Sequence, residues 1–352
     1  DMEITVEKCP SNADNRQAKI STILASGDKN IDLISVNDEM ISEFKHKGYL
    51  EPLEKNVMTE EVRDSFPQKY LESICEENGH IYSVPFQMDI MMFWVNQELL
   101  KQAGLDEIKN TGDFDILQKS LKNPDQYAYG DAWENTHVYN SLSQFVNFWG
   151  GDYFDWTDPK TKDAARYMKS MLDEKNTSPA QFVDQYEQME EKFIRGKYGC
   201  VFMYTSALGT FLDADVYGKN KIHMAPLPVL HKKKATNIAT WQYVLNNASE
   251  NKDAAVRFLQ YAAGYEGSTE YAKIMKSYPA RVDVIENEDI DLEGIDMIRK
   301  YLREYTLNAR PLCENSMGAV SDMGKLFQGY VLGQCEEDSF FEQAQNCINT
   351  YY

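Results

Sequence analysis

The stretch Ile81-Tyr82-Ser83-Val84-Pro85-Phe86-Gln87-Met88-Asp89-Ile90-Met91-Met92-Phe93-Trp94-Val95-Asn96 decides how this chain is organised. It follows Asn78-Gly79, a pair that favours a tight turn because both residues accept positive φ. Residues 81–95 read as extended chain, with Trp94 as core. Pro85 has no N–H to give to a ladder, which unsuits it to a central strand. A strand crossing from one lobe to another tolerates it. After Asn96 the pattern turns helical: residues 97–103, stopped by Gly104. The chain has 352 residues, enough for two domains with separate cores.

Outward from this crossing, the first 110 residues alternate helix and strand. Residues 12–26 place Ile20, Ile23 and Leu24 on one helical face, and Gly27 stops the helix. Ile4-Thr5-Val6 is strand-like, residues 31–36 read as a buried strand, and residues 39–47 are helical up to Gly48. Such alternation implies a mostly parallel sheet with helices on both faces. On the other side, residues 137–149 carry Leu142, Phe145, Val146 and Trp149 at helical spacing. Asp158-Pro159 caps and opens a helix through Leu172. Residues 183–194 form a helix, 199–204 and 221–225 buried strands, and 236–246 an extended segment. Helices follow at 251–263, 295–307, 317–332 and 340–348. No internal repeat or low-complexity tract is present.

Composition narrows the function. Hydrophobic residues make up 43% and charged residues 26%, as in ordinary globular proteins. No apolar run reaches the roughly 18 residues of a membrane span. A net charge of -20 argues against nucleic acid, which requires a basic face. Lys232-Lys233-Lys234 reads as a solvated loop. Six cysteines form no CxxC or Cys/His cluster, so no zinc site is suggested, and Cys335 and Cys347 pair only if the fold brings them together. No phosphate loop, dinucleotide fingerprint, nucleophile elbow or HExxH pair occurs. Asn287, Asp289 and Asp291 alternate as in a calcium loop, but Leu292 stands where glycine is needed and Ile298 where the bidentate glutamate belongs. No metal or cofactor is therefore expected.

Several short motifs occur in a telling order: Ala25-Ser26-Gly27 with Ile31-Asp32-Leu33-Ile34; Gly48-Tyr49-Leu50-Glu51-Pro52-Leu53; Gly79-His80-Ile81-Tyr82-Ser83-Val84-Pro85; Phe93-Trp94-Val95-Asn96 through Ala103-Gly104; Phe193-Ile194-Arg195-Gly196-Lys197; Ala225-Pro226-Leu227-Pro228; and Ala254-Ala255 to Leu259. This series resembles extracellular solute-binding protein family 1, the maltose-binding-protein-like receptors of bacterial ABC importers. Thr111-Gly112-Asp113-Phe114-Asp115 departs from the family's Thr-Trp-x-Glu signature, and Ile31-Asp32 from its Pro-Asp. The resemblance implies a two-lobed α/β periplasmic-binding-protein-like fold of type II, each lobe a mostly parallel sheet flanked by helices. Lobe one is then 1–88 with 241–286 and lobe two 92–238 with 295–352, with three hinge crossings near 86–92, 238–242 and 286–295. The implied function is non-enzymatic: capture of a sugar or oligosaccharide in an interlobe cleft by hinge closure. The partners are then the permease subunits, and the protein a monomer at the extracellular face of the cell membrane or in the periplasm. The alternatives are a binder of another small polar solute, such as a peptide or polyamine, a surface adhesion or scaffold protein, and a carboxylate-dependent glycoside-active enzyme. The family also has a strand and helix ahead of the segment matching Ile4-Thr5-Val6, so an upstream segment bearing an export signal and lipid anchor is expected. In a sheet of order 2-1-3-4-5 the missing strand separates Ile4-Thr5-Val6 from residues 31–36. Either that segment fills the slot or the strands have closed up.

A sugar receptor needs paired donors and acceptors for hydroxyls and flat rings for C–H faces. By resemblance the ligand-binding candidates are Asn37, Asp38, Gln87, Asp89, Trp149, Asp152, Tyr204, Ser206, Trp241 and Arg310. Asn37 and Asp38 either bind or cap the helix that follows. Asp89, set among Met88, Ile90, Met91 and Met92, needs a partner if buried. Trp149 shares a helical face with Leu142 and Phe145, so it either stacks on ligand or packs in the core. Trp241, between Thr240 and Gln242, is a stacking candidate. Arg310 either binds or complements a helix end.

Overall fold

A computed structural model of the protein describes residues 2–10 and 13–352, and of Ala13 and Asp14 the backbone alone. Asp1 and the expected helix start at Asn12 lie outside the described residues. The chain divides into two compact units. Unit 1 holds 1–88, 239–295 and 312–316; unit 2 holds 89–238, 296–311 and 317–352.

Residues 2–10 carry no strand. The strand expected at Ile4-Thr5-Val6 is coil, with Ile4 60% and Val6 80% exposed. β-Branched residues favour a strand only where one face is packed and a ladder is available. Unit 1 begins its regular structure with α1 (Ala13–Ala25), β1 (Leu33–Asn37) and α2 (Asp38–His46). Ile20 and Leu24 of α1 and Met40, Ile41 and Phe44 of α2 are buried. Short helices α3 (Glu60–Arg63) and α4 (Gln68–Tyr70) lead into a π-turn, Leu71–Cys75. Lys45 is buried yet satisfied, since its Nζ donates to Ile74 O at 2.7 Å and Glu76 O at 3.0 Å. β2 (Glu76–Glu77) and β3 (His80–Ile81) form a hairpin whose turn, Asn78 and Gly79, has φ of 52° and 79°. This is the left-handed turn that matches strand twist.

β4 (Ser83–Asn96) then runs from unit 1 into unit 2, the boundary falling between Met88 and Asp89. Pro85 lies in its unit 1 half, and its ladders with the strands of unit 2 begin at Met91. The Asn96 side chain accepts from Glu98 N at 3.1 Å and Leu99 N at 3.3 Å, which ends the strand and opens α5 (Gln97–Gln102). Unit 2 continues with α6 (Thr111–Ser120), β5 (Tyr127–Gly130), α7 (Val138–Trp149), α8 (Pro159–Asp173), α9 (Tyr186–Ile194), β6 (Tyr198–Tyr204), α10 (Ala207–Asp213) and β7 (Ile222–Ala225). Asp158 caps α8 by accepting from Lys160 N at 3.0 Å, with Pro159 in the first turn. Trp94, Trp133, Trp156, Phe145 and Phe202 form the buried aromatic core.

β8 (Ala235–Leu245) returns the chain to unit 1, where its last five residues pair antiparallel with β1, Asn37 opposite Trp241. After α11 (Lys252–Ala263), α12 (Tyr265–Met275) and α13 (Val282–Glu286) come α14 (Ile295–Glu304), β9 (Thr306–Ala309), α15 (Ser316–Val331) and α16 (Glu337–Tyr351). The helix expected to reach residue 307 stops at Glu304, because Thr306–Ala309 pairs with β8 instead.

The sheets are mixed rather than mostly parallel. β5 with β6 and β8 with β9 are parallel, whereas β1 with β8, β4 with β6 and β4 with β7 are antiparallel. An intervening helix permits a return to a parallel neighbour but does not compel it. The helical excursion after Asn96 brings β6 back antiparallel to β4. All six cysteines are free.

Candidate functional site

Asp89 is the first residue of unit 2 and is only 8% exposed. Its Oδ1 accepts from Thr205 Oγ1 at 2.7 Å and from Ser206 N at 2.9 Å. These partners arise because β6 runs beside β4 and delivers Tyr204, Thr205 and Ser206 to the β4 residue just before the ladder at Met91. The Ser206 side chain also hydrogen-bonds the carboxylate. Burial raises the Asp89 pKa, while the Thr205 and Ser206 bonds and the Arg310 charge oppose the rise.

Around this carboxylate unit 2 assembles rings and amides. The Tyr204 hydroxyl donates to Asn140 Oδ1 at 2.9 Å. Arg310 is buried; its Nη1 donates to the Tyr139 hydroxyl at 2.7 Å. Its guanidinium lies 5.9 Å from the Tyr204 ring centre and 6.0 Å from that of Tyr139, within cation–π range. Tyr186 meets Tyr204 edge-on at 5.9 Å and His137 at 5.1 Å. His137 Nδ1 lies 3.1 Å from Glu134 Oε2. α7 is held in place by amides: Gln144 Nε2 donates to Ala235 O at 2.8 Å, and Asn237 Nδ2 donates to Asn140 O at 3.1 Å and Ser143 Oγ at 2.8 Å. Each ring therefore has a fixed position.

Of the candidates read from sequence, unit 2 brings together Asp89, Tyr204, Ser206 and Arg310. Trp149 and Asp152 stand apart from them. Trp149 is buried in aromatic contacts, its ring 4.8 Å from Tyr167 and stacked at 5.0 Å on His231. Asp152 is exposed in the loop after α7 and accepts from Phe154 N at 2.9 Å.

In unit 1, Asp38 is wholly buried and accepts from the Tyr70 hydroxyl at 2.9 Å; that hydroxyl also lies 2.8 Å from Thr240 Oγ1 and accepts from Gln242 Nε2 at 3.2 Å. Asn37 is the N-cap of α2 but its side chain makes no cap bond; its Nδ2 donates to Glu39 at 2.9 Å. The Asn37 Oδ1 is buried without a partner. Gln87 accepts from the Tyr271 hydroxyl at 2.7 Å. Trp241 is half-buried, with the Arg16 guanidinium 5.3 Å from its ring centre. It borders a cavity of about 1090 Å³ lined also by Ile4, Val6, Ile20, Ile34 and Phe258. Among the described residues no group of three His, Cys, Asp or Glu is placed to hold a metal, and no helix is long and apolar enough to cross a membrane.

Sequence reading missed His137, Tyr139, Asn140, Tyr186 and Glu190. Two signals pointed to them. Residues 137–149 carry Asn140, Ser141, Ser143 and Gln144 among apolar residues, more polar groups than a core helix needs. Tyr186 and Glu190 stand at i, i+4 and so share a face of α9.

Comparison with known proteins agrees with this architecture. The family model for bacterial extracellular solute-binding proteins matches residues 4–269. A probable amino-acid ABC transporter periplasmic-binding protein of Sinorhizobium fredii is 24% identical over 239 residues, 64% of this chain and 54% of that protein. The arabinooligosaccharide-binding protein of Bacillus subtilis is 22% identical over 286 residues, 77% of this chain and 65% of that protein. The matches thus span between about half and two-thirds of these relatives' lengths. A solute-binding protein of Thermotoga lettingae, solved with α-D-tagatose, shares the fold with a TM-score of 0.81 at 18% identity, covering 96% of this chain and 89% of that one. With a family match over most of its length, this chain belongs to the bacterial extracellular solute-binding proteins.

Proposed function

We propose that the protein captures a sugar or polyol outside the cell and delivers it to the permease subunits of an ABC importer. The observation that carries this reading is Asp89: a nearly buried carboxylate held by Thr205 and Ser206, with the Arg310 charge acting on it and the Arg310 guanidinium against the Tyr204 ring. A carboxylate oxygen takes two hydroxyl hydrogens, Arg310 supplies donors, and Tyr204 and Tyr186 offer rings for C–H groups. The tagatose-bound and arabinooligosaccharide-binding relatives support a carbohydrate. Of the unit 1 candidates, half-buried Trp241 is the one with a ring to offer. No catalytic step is assigned, and the protein acts as a monomer at the outer face of the membrane or in the periplasm.

A thermal-shift screen over monosaccharides, polyols, oligosaccharides and amino acids tests the reading. Stabilisation by carbohydrates alone, with no product on chromatography, is expected. A hit confined to amino acids, or turnover of an oligosaccharide, refutes it. The family expectation of hinge closure is checked separately by X-ray scattering with and without the hit.

A further inference from the structure

Thr205 stands between two candidates read from sequence, Tyr204 and Ser206, and is not itself one of them. It is only 4% exposed, and each of its polar groups has a partner inside the protein. The register of β4 with β6, continued past Met91 and Tyr204, sets it opposite Ile90. Its N–H donates to Ile90 O at 3.0 Å, and its carbonyl oxygen accepts from Leu208 N of α10 at 3.0 Å. The hydroxyl works in both directions: Oγ1 accepts from Ile90 N at 3.3 Å and donates to Asp89 Oδ1 at 2.7 Å. A hydroxyl carries one hydrogen. With the Ile90 N–H on a lone pair, that hydrogen is directed at the carboxylate.

Left to itself, an aspartate carboxylate turns easily about its last torsion, whose profile is broad and roughly two-fold. Thr205 Oγ1 and Ser206 N meet the same oxygen and remove that freedom. Thr205 is suited to the task, because a β-branched side chain is stiff at χ1 and its backbone is bonded on both sides. We propose that Thr205 is a positioning residue for ligand: its hydroxyl fixes the plane of the Asp89 carboxylate and keeps it an acceptor, so that the ligand group received there is a donating hydroxyl. This rests on the sugar reading above, in which Asp89 meets the ligand, and adds the device that presents it. Thr205 acts through Asp89 and needs no contact with the ligand.

A pH profile separates this role from a packing role. Burial pushes the Asp89 pKa up, and Thr205, Ser206 and the Arg310 charge oppose the rise; Glu190 is the other charged group coupled to it. Loss of the Thr205 hydroxyl removes one opposing donor, so Asp89 takes its proton at a higher pH and ceases there to accept from the ligand. Arg310 and Glu190 are the same in both proteins, so the difference between the two profiles belongs to Asp89.

Calorimetric titration tests this, with the tightest binder among D-tagatose, D-glucose, D-mannitol, maltose and arabinotriose as probe. Thr205→Val keeps the shape and loses the hydroxyl. It should weaken binding about tenfold near neutral pH, and the acid limb of the affinity profile should move to higher pH. Thr205→Ser restores the hydroxyl and should bind within about threefold of the wild type, with the wild-type acid limb. In an Asp89→Ala background Thr205→Val should cost about twofold or less, because no carboxylate remains to be held. Should the valine variant not melt cooperatively, Thr205→Ala takes its place. An unchanged affinity, an unmoved acid limb, or an equal loss with and without Asp89 overturns the positioning role and leaves the sugar reading standing. If no sugar or polyol binds the wild type, both are wrong.

Discussion

Glu190, one turn after Tyr186 on α9, offers a test of the buried charge in unit 2 through Glu190→Gln. A carboxyl whose pKa rises on folding holds its proton more tightly in the native state. Between its ordinary 4.5 and the native value of about 7 the folded form therefore binds more protons than the unfolded form. Stability falls as pH rises through that window, and the whole penalty is present above it. A displacement of this size corresponds to about 3 kcal/mol for a fully shielded group. Glu190 is only half-buried, so solvent screening reduces the figure to about 1–2 kcal/mol. Glutamine keeps the shape and the contact with Thr210 but has no charge to bury. The variant should therefore match the wild type near pH 4 and exceed it near pH 8 by about 1–2 kcal/mol, or roughly 2–6 °C in Tm. Melts followed by circular dichroism at a series of pH values read this directly. Equal melting temperatures at pH 8, or a less stable variant there, would show that Glu190 is solvated and carries no penalty.

Three further substitutions probe other parts of the molecule. Asp89→Ala should weaken binding of the ligand found by screening by about 1–3 kcal/mol, since a charge-assisted bond is lost; unchanged calorimetric affinity removes Asp89 from the site. Tyr70→Phe deprives the buried Asp38 carboxylate of one donor and should cost about 1.5–3 kcal/mol of stability in urea, with a loss under 0.5 kcal/mol counting against a structural role for the network. Gly324→Ala should destabilise by about 1–3 kcal/mol, because a Cβ there meets the Asn135 carbonyl oxygen at 2.0 Å and α15 must shift away; a wild-type Tm contradicts so close an approach.

What the sequence disclosed, and what it did not, follows from how local each determinant is. The Asn78-Gly79 hairpin, the Asp158-Pro159 helix start and the long strand through Pro85 are fixed by neighbours in sequence, and the structure has all three. The pairing partner of a strand is not local. Residues 199–204 read correctly as a buried strand, but nothing within them states that β6 lies antiparallel to β4. Ile4-Thr5-Val6 was over-read for the same reason: its propensity is local, whereas a strand also needs a ladder. The site shows the same division. A carboxylate at position 89 in an apolar run announced its need for partners, and Thr205 and Ser206 supply them from more than a hundred residues away. The surplus polar residues of 137–149 were visible in sequence, but the roles of Tyr139, Asn140 and Tyr186 were not until α7, α9 and β6 were in place, since each acts through a contact distant in sequence.

That non-local wiring bears on affinity. A free receptor that leaves its binding groups mobile must order them when ligand arrives, at a cost of about 0.5–1.5 kcal/mol for each rotamer-rich side chain. In unit 2 the protein's own bonds fix these side chains. Asp89 is held by Thr205 and Ser206, Tyr204 by Asn140, the Asn140 side chain by the His137 carbonyl, and Arg310 by Tyr139. The charge of Arg310 also offsets part of the cost of burying Asp89. Removing any one link leaves a buried polar group short of a partner, so the network can keep its geometry only as a whole. A hydroxyl-bearing ligand thus meets donors and acceptors already in position; of the polar residues of α7, Asn140 serves this network through Tyr204, while Ser143 and Gln144 tie the helix to β8.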